Sequence, residues 1–571
     1  MPVIDKKEMQ GIKHISRSKA QESSAAIERL YITMRHLLNR GFYKPMGVSG
    51  DTLREALLLL RPEIYGSIAE DKAELNGLLY VIERLPTGIE ECRFINLTSS
   101  EGYSKSHFKA IVPPKRRRNC YRIDADQMNV EITRGRSDIY DILTHLTFIF
   151  IESHKIKNRV LIDDNGEITH DWIKLENTIL NKGKKLTQIE KEKAISHASA
   201  VLGRTFAEIV AIYDAFASPD APDRFLQIVY WLGKLAIDEA MGGDKRTITF
   251  SPVLRERLGH HVHGEIWANN IKTILKQNGL LQRPLHIISA NMHSVMNSLF
   301  APVLLKVKNK DKSDFAVFEE LSKAGNSEIR AKVEDVALKN GMIFIPDTSG
   351  TNIDVQIFDT AAIDFSKTAF PKADLGENKP VIIVMDYAFG EQAYETIDEL
   401  LKPFKENKQK TFLNIESVSI MGKAGILEGN KGDIMIPSAH INEGTGDNYP
   451  FENDLKPEML EGQGIPVYSG PMVTVLGTSL QNRDLLRFFN ESTWGVIGLE
   501  MEGAYYQKAI QSASKIRKSI NPDVKIRYAY YASDNPLETG STLASGGLGT
   551  SGVKPTYLIT IKILEQLFNV T

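Results

Sequence analysis

Two acidic turns late in the chain carry the residues most able to do chemistry. The apolar run Val496 to Leu499 ends in Glu500-Met501-Glu502-Gly503 and then takes on helical character. The apolar, aromatic run ending at Ala532 breaks into Ser533-Asp534-Asn535-Pro536. Both runs read as buried parallel strands, and open α/β sheets collect ligands beyond the carboxyl ends of such strands. A carboxylate beside a methionine suits a ribose, because two acceptor oxygens meet two adjacent hydroxyls while the thioether covers an apolar face. An aspartate at the next strand end could protonate a leaving group if its pKa is raised. Taken singly, Glu500 and Glu502 equally suit a solvated helix N-terminus, where negative charge is favoured.

Upstream, the strand FLNIESVSIM leads into Gly422-Lys423-Ala424-Gly425, which reads as a turn. Glycines there would let backbone N–H groups approach a ligand, and Lys423 could supply charge to a phosphate; helix capping is the plainer alternative. The run SGPMVTVLGTSLQN reads as a strand ending in a Gly477-Thr478-Ser479 turn. The stretch Gly540 to Gly552 is rich in glycine and hydroxyls, suited either to closing over a phosphate or to a mobile connection.

GLEMEGA (498–504) followed, after a helical spacer, by YASDNP (531–536) resembles the purine nucleoside phosphorylase and nucleosidase superfamily. The segment SIMGKAGILEGNKGDIMIPSAHI adds that superfamily's strand, Gly-x-x-Gly turn and Gly432-Asp433 strand start. Ser533-Asp534-x-Pro536-Leu537, with His440 following Asp433, resembles the AMP nucleosidase branch in particular. The resemblance is clear over 380–540, faint from 285, and does not reach the first half of the chain.

The resemblance implies an α/β catalytic domain of three layers around a mixed central sheet. It also implies roles: Asp534 as the acid at purine N7, Glu502 and Met501 as the ribose clamp, and Glu500 and Ser533 beside them. Gly422, Lys423 and Gly425 would form a ligand-facing turn, Thr478 would line the base pocket, and His440 would follow the AMP nucleosidase pattern. His293 stands where a carboxylate is expected near the sugar or its nucleophile, and Ile420 where the uridine-phosphorylase type has an arginine for phosphate. Loss of that cation favours water as nucleophile. The expected activity is hydrolysis of the N-glycosidic bond of an AMP-like purine nucleotide or nucleoside. The alternatives are phosphorolysis and a non-catalytic nucleotide-binding sensor. No cofactor or metal is called for.

These residues need a scaffold, and 571 residues are too many for one ordinary core. The pattern divides into a loose polar arm (1–22), a mainly helical domain (23–280) with a small α+β part near 75–135, and the catalytic domain (281–571). A β-run at LHIISA opens the last, and VIIVM with the following residues reads as strand, turn (Asp386 to Glu391) and helix. The polar stretch Lys306 to Asp314 reads as a surface loop. Ser137 to His154 is hydrophobic nearly all round, hence a buried helix. On it Asp141 and His145 stand four apart, which is metal-ligand spacing but more commonly a hydrogen-bonded pair. Lys115-Arg116-Arg117-Arg118 reads as a solvated loop, since no aromatic interleaving or wider basic surface accompanies it.

A net charge of −2 gives no general attraction to nucleic acid or anionic membrane, so neither is an expected partner. Two cysteines, Cys92 and Cys120, are too few for a disulfide framework or a cysteine zinc site. The amino terminus lacks a signal-peptide core, and no run approaches the ~18 apolar residues of a membrane span. A cytoplasmic homo-oligomer acting on a small-molecule purine nucleotide or nucleoside is the expectation.

Overall fold

A computed structural model describes residues 6–163, 165–180, 186–305, 315–538 and 549–570. The expected surface loop at 306–314 and most of the glycine-rich stretch 540–552 lie outside the described residues. The chain divides into two units. The first comprises Met1–Thr133, Asp138–His260 and Ser479–Leu485; the second comprises Arg134–Ser137, His261–Thr478 and Leu486–Thr571.

The first stretch of chain is built mostly of helices: α1 (Lys6–Arg40), α2 (Val48–Leu60), α3 (Leu75–Ile82), α4 (Gly135–Val160), α5 (His170–Leu180), α6 (Gln188–Leu202), α7 (Phe206–Tyr213), α8 (Arg224–Ala240) and α9 (Pro252–Gly259). Residues 6–22, expected as a loose arm, are the first turns of α1. Local chemistry sets several starts. Thr187 with Glu190 and Thr205 with Glu208 form capping boxes, and Ser251 caps α9 ahead of Pro252.

The α+β part is larger than its sequence suggests. A six-stranded sheet runs in the order β1 (Phe42–Tyr43), β6 (Thr247–Phe250), β2 (Phe94–Thr98), β5 (Gln127–Glu131), β4 (Cys120–Arg122), β3 (Ala110–Ile111). Strands β1 and β6 come from outside the 75–135 window, because β6 pairs in parallel with β2 and fills the place beside it. A pairing partner so distant in sequence leaves no local signature.

Helix α4 is buried as expected, with Ile139, Ile142, Leu143, Leu146 and Phe148 all in the core. It also buries Asp138, His145 and Glu152 and nearly covers Asp141, and buried charge must be paired. The basic run supplies the partners of the two aspartates, which corrects its reading as a solvated loop, while Lys155 pairs with Glu152 at 2.7 Å. Arg116 grips Asp141 with two hydrogen bonds (2.8 and 2.7 Å), and Arg118 bridges Asp138 and Asp141 at 2.6 Å each. Burial alone would raise the Asp141 carboxyl, yet Arg116 and His145 hold it well below the usual carboxylate range. His145 meets Asp141 at 3.3 Å and the Tyr65 hydroxyl at 3.2 Å, so the Asp141–His145 spacing forms part of an ion network.

The second unit is organised on a ten-stranded mixed sheet. In chain order its elements are α10 (Val262–Gln277), β7 (Leu285–Ser289), α11 (Met292–Leu305), α12 (Ala316–Ser322), α13 (Ser327–Leu338), β8 (Met342–Ile345), β9 (Val355–Asp359), β10 (Val381–Met385), α14 (Gln392–Leu400) and a hairpin, β11 (Phe404–Glu406) and β12 (Gln409–Thr411). There follow β13 (Ile415–Ile426), β14 (Ile434–Asn442), β15 (Asn448–Pro450), β16 (Val467–Thr474), α15 (Arg483–Glu491), β17 (Gly498–Glu500), α16 (Gly503–Gln511), β18 (Lys525–Asp534) and α17 (Val553–Leu567). The unit begins before residue 281 because α10 packs on α14, with the buried Lys272 ammonium donating to the Glu399 carbonyl at 2.7 Å.

The sheet order is β15-β14-β16-β17-β13-β7-β10-β9-β8, and β18 pairs with both β13 and β14. The strands β14, β16, β17, β13 and β18 therefore close into a ring of pairings, parallel except at β13–β17 and β14–β18. Alternate residues of β10 show why its run is unbroken: Val381, Ile383 and Met385 pack with α10, α14 and α16, while Ile382 and Val384 pack with α11, α12 and α17. A strand covered on both faces needs apolar side chains at every position. Helices, sheet and helices make three layers. Among the described residues no single helix is long and apolar enough to cross a membrane.

Candidate active site

The two acidic turns come together because β17 and β18 both pair with β13. Gly425 of β13 lies opposite Leu499 of β17, and after a register shift at Ala424/Gly425 the same glycine faces Asp534 of β18. A bulge of this kind re-aims the side chains that follow it. The expected Gly422–Gly425 turn does not form: β13 runs straight through it, and β18 likewise continues through Ser533 and Asp534. Gly425 is required by space, since a Cβ there would lie 2.9 Å from the Leu499 side chain. At Gly422 the nearest atom would be 3.6 Å away, ordinary contact. Gly425 thus serves strand packing, Gly422 is not required by space, and the two leave no phosphate-cradling turn.

Glu500 is spent on its own surroundings. It is 3 % exposed and accepts from the Thr474 hydroxyl and from the N–H groups of Glu502 (2.5 Å) and Gly503, which start α16. A carboxylate at orphan N–H groups of a helix start is stabilising. Thr474 also accepts from the Ala504 N–H at 2.9 Å. His440, wholly buried, lies behind this turn, with Nδ1 3.4 Å from Glu500 Oε1 and its ring between Phe451 and Tyr528. Sequence reading placed Glu500 and His440 at the substrate; the geometry makes them supports of the turn, and it adds Thr474, which no motif marked.

A Cβ on Gly503 would lie 2.3 Å from the His440 ring and 2.8 Å from Glu500 Oε1. The ring cannot retreat past Phe451. Gly503→Ala is therefore expected to destabilise the protein by roughly 1–3 kcal/mol, the scale of overpacking in a dense core. Thermal unfolding checks this, and a melting temperature equal to the parent's contradicts the packing.

Glu502 has the other disposition. Half-buried, it takes the Gly390 N–H on Oε1 at 2.8 Å. Burial first, and the Glu500 charge second, push its carboxyl up to about 8, against the pull of Gly390 and Lys423. Met501 packs on a small apolar cluster with Leu499 and Val473.

Asp534 is 7 % exposed, and its Oδ2 is buried with no hydrogen-bond partner among the described residues. Burial raises its pKa; the Ser533 hydroxyl, Lys423 and Lys431 oppose that without cancelling it. The Ser533 Oγ lies 2.5 Å from Asp534 Oδ1 and 3.1 Å from the Ala424 carbonyl, and its proton serves one of them at a time. Lys423 is exposed and opposes the raised pKa of both acids, joined by Lys431 at Asp534.

Lys423 also lines a cavity of about 460 Å³ on the α11 and α17 side of the sheet, whose walls include neither Asp534 nor Glu502. Its walls include Asn291, His293, Asn297, Arg330, Lys423, Tyr531 and Tyr557. His293 thus reaches a cavity together with Lys423, although Asn291, not His293, caps α11 by accepting the His293 N–H at 3.0 Å. Arg330 closes the α12–α13 link by donating to the Leu321 and Lys323 carbonyls. Asn297 donates to the Tyr557 hydroxyl at 2.8 Å, and its Oδ1 is buried without a partner among the described residues. Thr478 lies in a short 3-10 turn, half-buried, and is not part of this wall.

A model of a family of unknown function (DUF6909) matches residues 51–310 and 317–569. The chain belongs to that family. No curated protein matches it. Among solved structures it is similar to the 5'-methylthioadenosine/S-adenosylhomocysteine nucleosidase of Campylobacter jejuni, at 10% identity over 50% of this chain and 100% of that one, with a TM-score of 0.30. It is also similar to the futalosine hydrolase of Helicobacter pylori strain 26695 (13%, 50% and 99%, TM-score 0.29). A third is the uridine phosphorylase of Schistosoma mansoni in complex with thymidine (12%, 50% and 88%, TM-score 0.30). Likeness at those TM-scores carries no mechanistic weight, and the chemistry has to come from the residues themselves.

Proposed function

We propose that this protein hydrolyses the N-glycosidic bond of a purine nucleotide or nucleoside, AMP-like by preference, and releases the free base. The observation that carries the reading is the pairing of Asp534 and Glu502: two acids with raised pKa from two strands that flank β13, with Lys423 acting on both. A purine departs poorly as an anion, so N7 must receive a proton or a hydrogen bond as the bond to the sugar breaks. An acid whose pKa is raised by burial, as at Asp534, suits that task. The sugar gains oxocarbenium character, and a carboxylate from Glu502 spanning its 2′- and 3′-hydroxyls would hold it while Met501 covers its face. Water attacks the anomeric carbon from the side opposite the base, the glycosidic electron pair leaves with the base, and the proton that the water gives up passes to solvent and balances the one Asp534 delivers and takes back.

Ile420, buried and apolar, occupies the strand position where the resemblance has a phosphate-binding arginine, which supports water over phosphate. Lys423 keeps phosphorolysis as the second reading, since one cation does face the site. A nucleotide-binding sensor would bind without turnover. Incubating the protein with a nucleoside and nucleotide panel, with and without phosphate, separates the three: free base without phosphate supports hydrolysis, and strict phosphate dependence supports phosphorolysis. Binding without products supports the sensor.

The preference for a 5′-phosphate rests on the cavity that Lys423 lines together with His293 and Arg330. A phosphate dianion gains charge-assisted hydrogen bonds of roughly 1.5–3 kcal/mol each from such donors. The stretch Gly540 to Gly552, expected to help hold it, falls mostly outside the described residues. AMP should show a higher kcat/KM than adenosine, and Lys423→Ala should erode that preference. Adenosine as the better substrate, or equal slowing of both, removes the 5′-phosphate from the reading.

A further inference from the structure

Glu502 depends on a turn that another segment of the same unit grips. Its Oε1 is held by the Gly390 N–H at 2.8 Å, and each of the three residues Phe389, Gly390 and Glu391 meets the segment Arg134–Ser137. The Arg134 guanidinium lies over the Phe389 ring, 4.6 Å from its centroid. Gly390 has φ of 56°, and a Cβ there would fall 2.3 Å from Ser137 Oγ, so backbone and space both demand glycine. The Glu391 N–H donates to Ser137 Oγ at 2.8 Å, and Arg136 Nη1 pairs with Glu391 Oε1 at 3.0 Å. Ser137 is 3 % exposed, so this hydroxyl is out of reach of a ligand and serves the turn.

We infer that Arg136 and Ser137 are positioning residues: they fix the Gly390 N–H that orients Glu502 toward the sugar. The inference rests on the reading of Glu502 as the ribose clamp. No substrate-like chemistry attaches to either residue, and neither touches the reacting atoms. Their effect passes through one backbone N–H. Sub-ångström displacement of a clamping group is costly, because a near-attack geometry tolerates little error.

The groups facing Glu502 are Glu500 before it, Lys423 on β13, Tyr506 on α16 and Tyr530 on β18, while Glu395 of α14 adjoins the Arg136 backbone and Glu391. An N–H bond to a carboxylate favours its charged form. Loosening Gly390 should therefore make Glu502 harder to ionise, with the other groups unchanged.

The test uses the full chain carrying Ser137→Ala with Arg136→Ala, and Arg136→Lys alone as the conservative control. The double variant should lose about tenfold or more in kcat/KM for a ribo substrate, mostly in kcat, and lose less for the 2′-deoxy counterpart. The acid limb of its pH profile should move to higher pH, and Arg136→Lys should stay near the parent. A merely structural role lowers the melting temperature and leaves the limb and the ribo/deoxy ratio alone; that result overturns the inference. Should the double variant fail to fold, Ser137→Ala by itself carries the same comparison. If the parent shows no turnover, or Glu502→Gln leaves turnover intact, the reading of the site fails instead. The inference is then read without turnover, from the upper pH at which the melting-temperature gap between a Glu502→Gln protein and its Glu502 counterpart stops widening, which marks the folded-state pKa. That pH must rise when Ser137 and Arg136 are replaced, and an unchanged pH overturns it.

Discussion

Asp534→Asn is expected to leave the fold and substrate binding intact while cutting turnover of 6-aminopurine substrates by roughly 10²-fold or more, the usual scale for a positioned general acid. The substitution is nearly isosteric. It keeps an oxygen for the Ser533 hydroxyl and puts an amide NH₂ at the place of Oδ2, which has no partner among the described residues. What it removes is an ionisable carboxyl, whose pKa burial raises, as a source of the proton. An amide can still donate a weak hydrogen bond to N7, so KM should change little and kcat should carry the loss. Near-normal turnover on intact substrate would take Asp534 out of the mechanism.

Glu502→Gln should be the second large effect. It leaves one acceptor where two hydroxyl donors point, costing several kcal/mol in transition-state binding, the order of a charged hydrogen bond or more. A 2′-deoxy substrate makes only one of those bonds and should suffer less than its ribo partner. Equal losses would show that Glu502 does not hold the 2′-hydroxyl. Glu500 is poorly placed to replace it, because its oxygens already serve Thr474 and the start of α16.

The same residue links activity to pH. With its carboxyl near 8 in the free protein, Glu502 is protonated at neutral pH, and a clamp that needs the carboxylate gives kcat/KM an acid limb near that value. Stability moves oppositely. The folded state holds the proton more tightly than an unfolded glutamate, so between the ordinary glutamate pKa and about 8 stability falls as pH rises. Glu502→Gln abolishes that loss. Its melting temperature should therefore gain on the parent's as pH rises through this window, and a constant difference would show that Glu502 ionises normally.

The elements around the site were legible where burial imposes a pattern. The run VIIVM reads as a strand because both its faces are covered, and LHIISA likewise became β7. The helix of Ser137 to His154 was equally clear from its lack of a polar face. Reading failed where partners are remote. Glycines at 422 and 425 suggested a turn, since sequence cannot say that β17 crosses β13 closely enough at Leu499 to require one of them. Arg116 and Arg118 looked solvated because their partners, Asp138 and Asp141, are on a helix whose orientation only packing decides.

By itself the sequence determined the residue types at the two acidic turns, the apolar runs that must be buried strands, and the resemblance those turns carry. These are local properties, set by side-chain chemistry and by short-range periodicity. Tertiary structure decided which acid remains available. Glu500 and Glu502 stand two apart on one turn with the same side chain, yet Thr474 and the first N–H groups of α16 occupy one, while the Gly390 N–H meets the other. It also decided that a four-residue segment, Arg134–Ser137, grips the turn carrying that N–H. Burial and hydrogen-bond supply depend on which distant segments are brought within a few ångströms, and that is a property of the folded chain, not of any window along it.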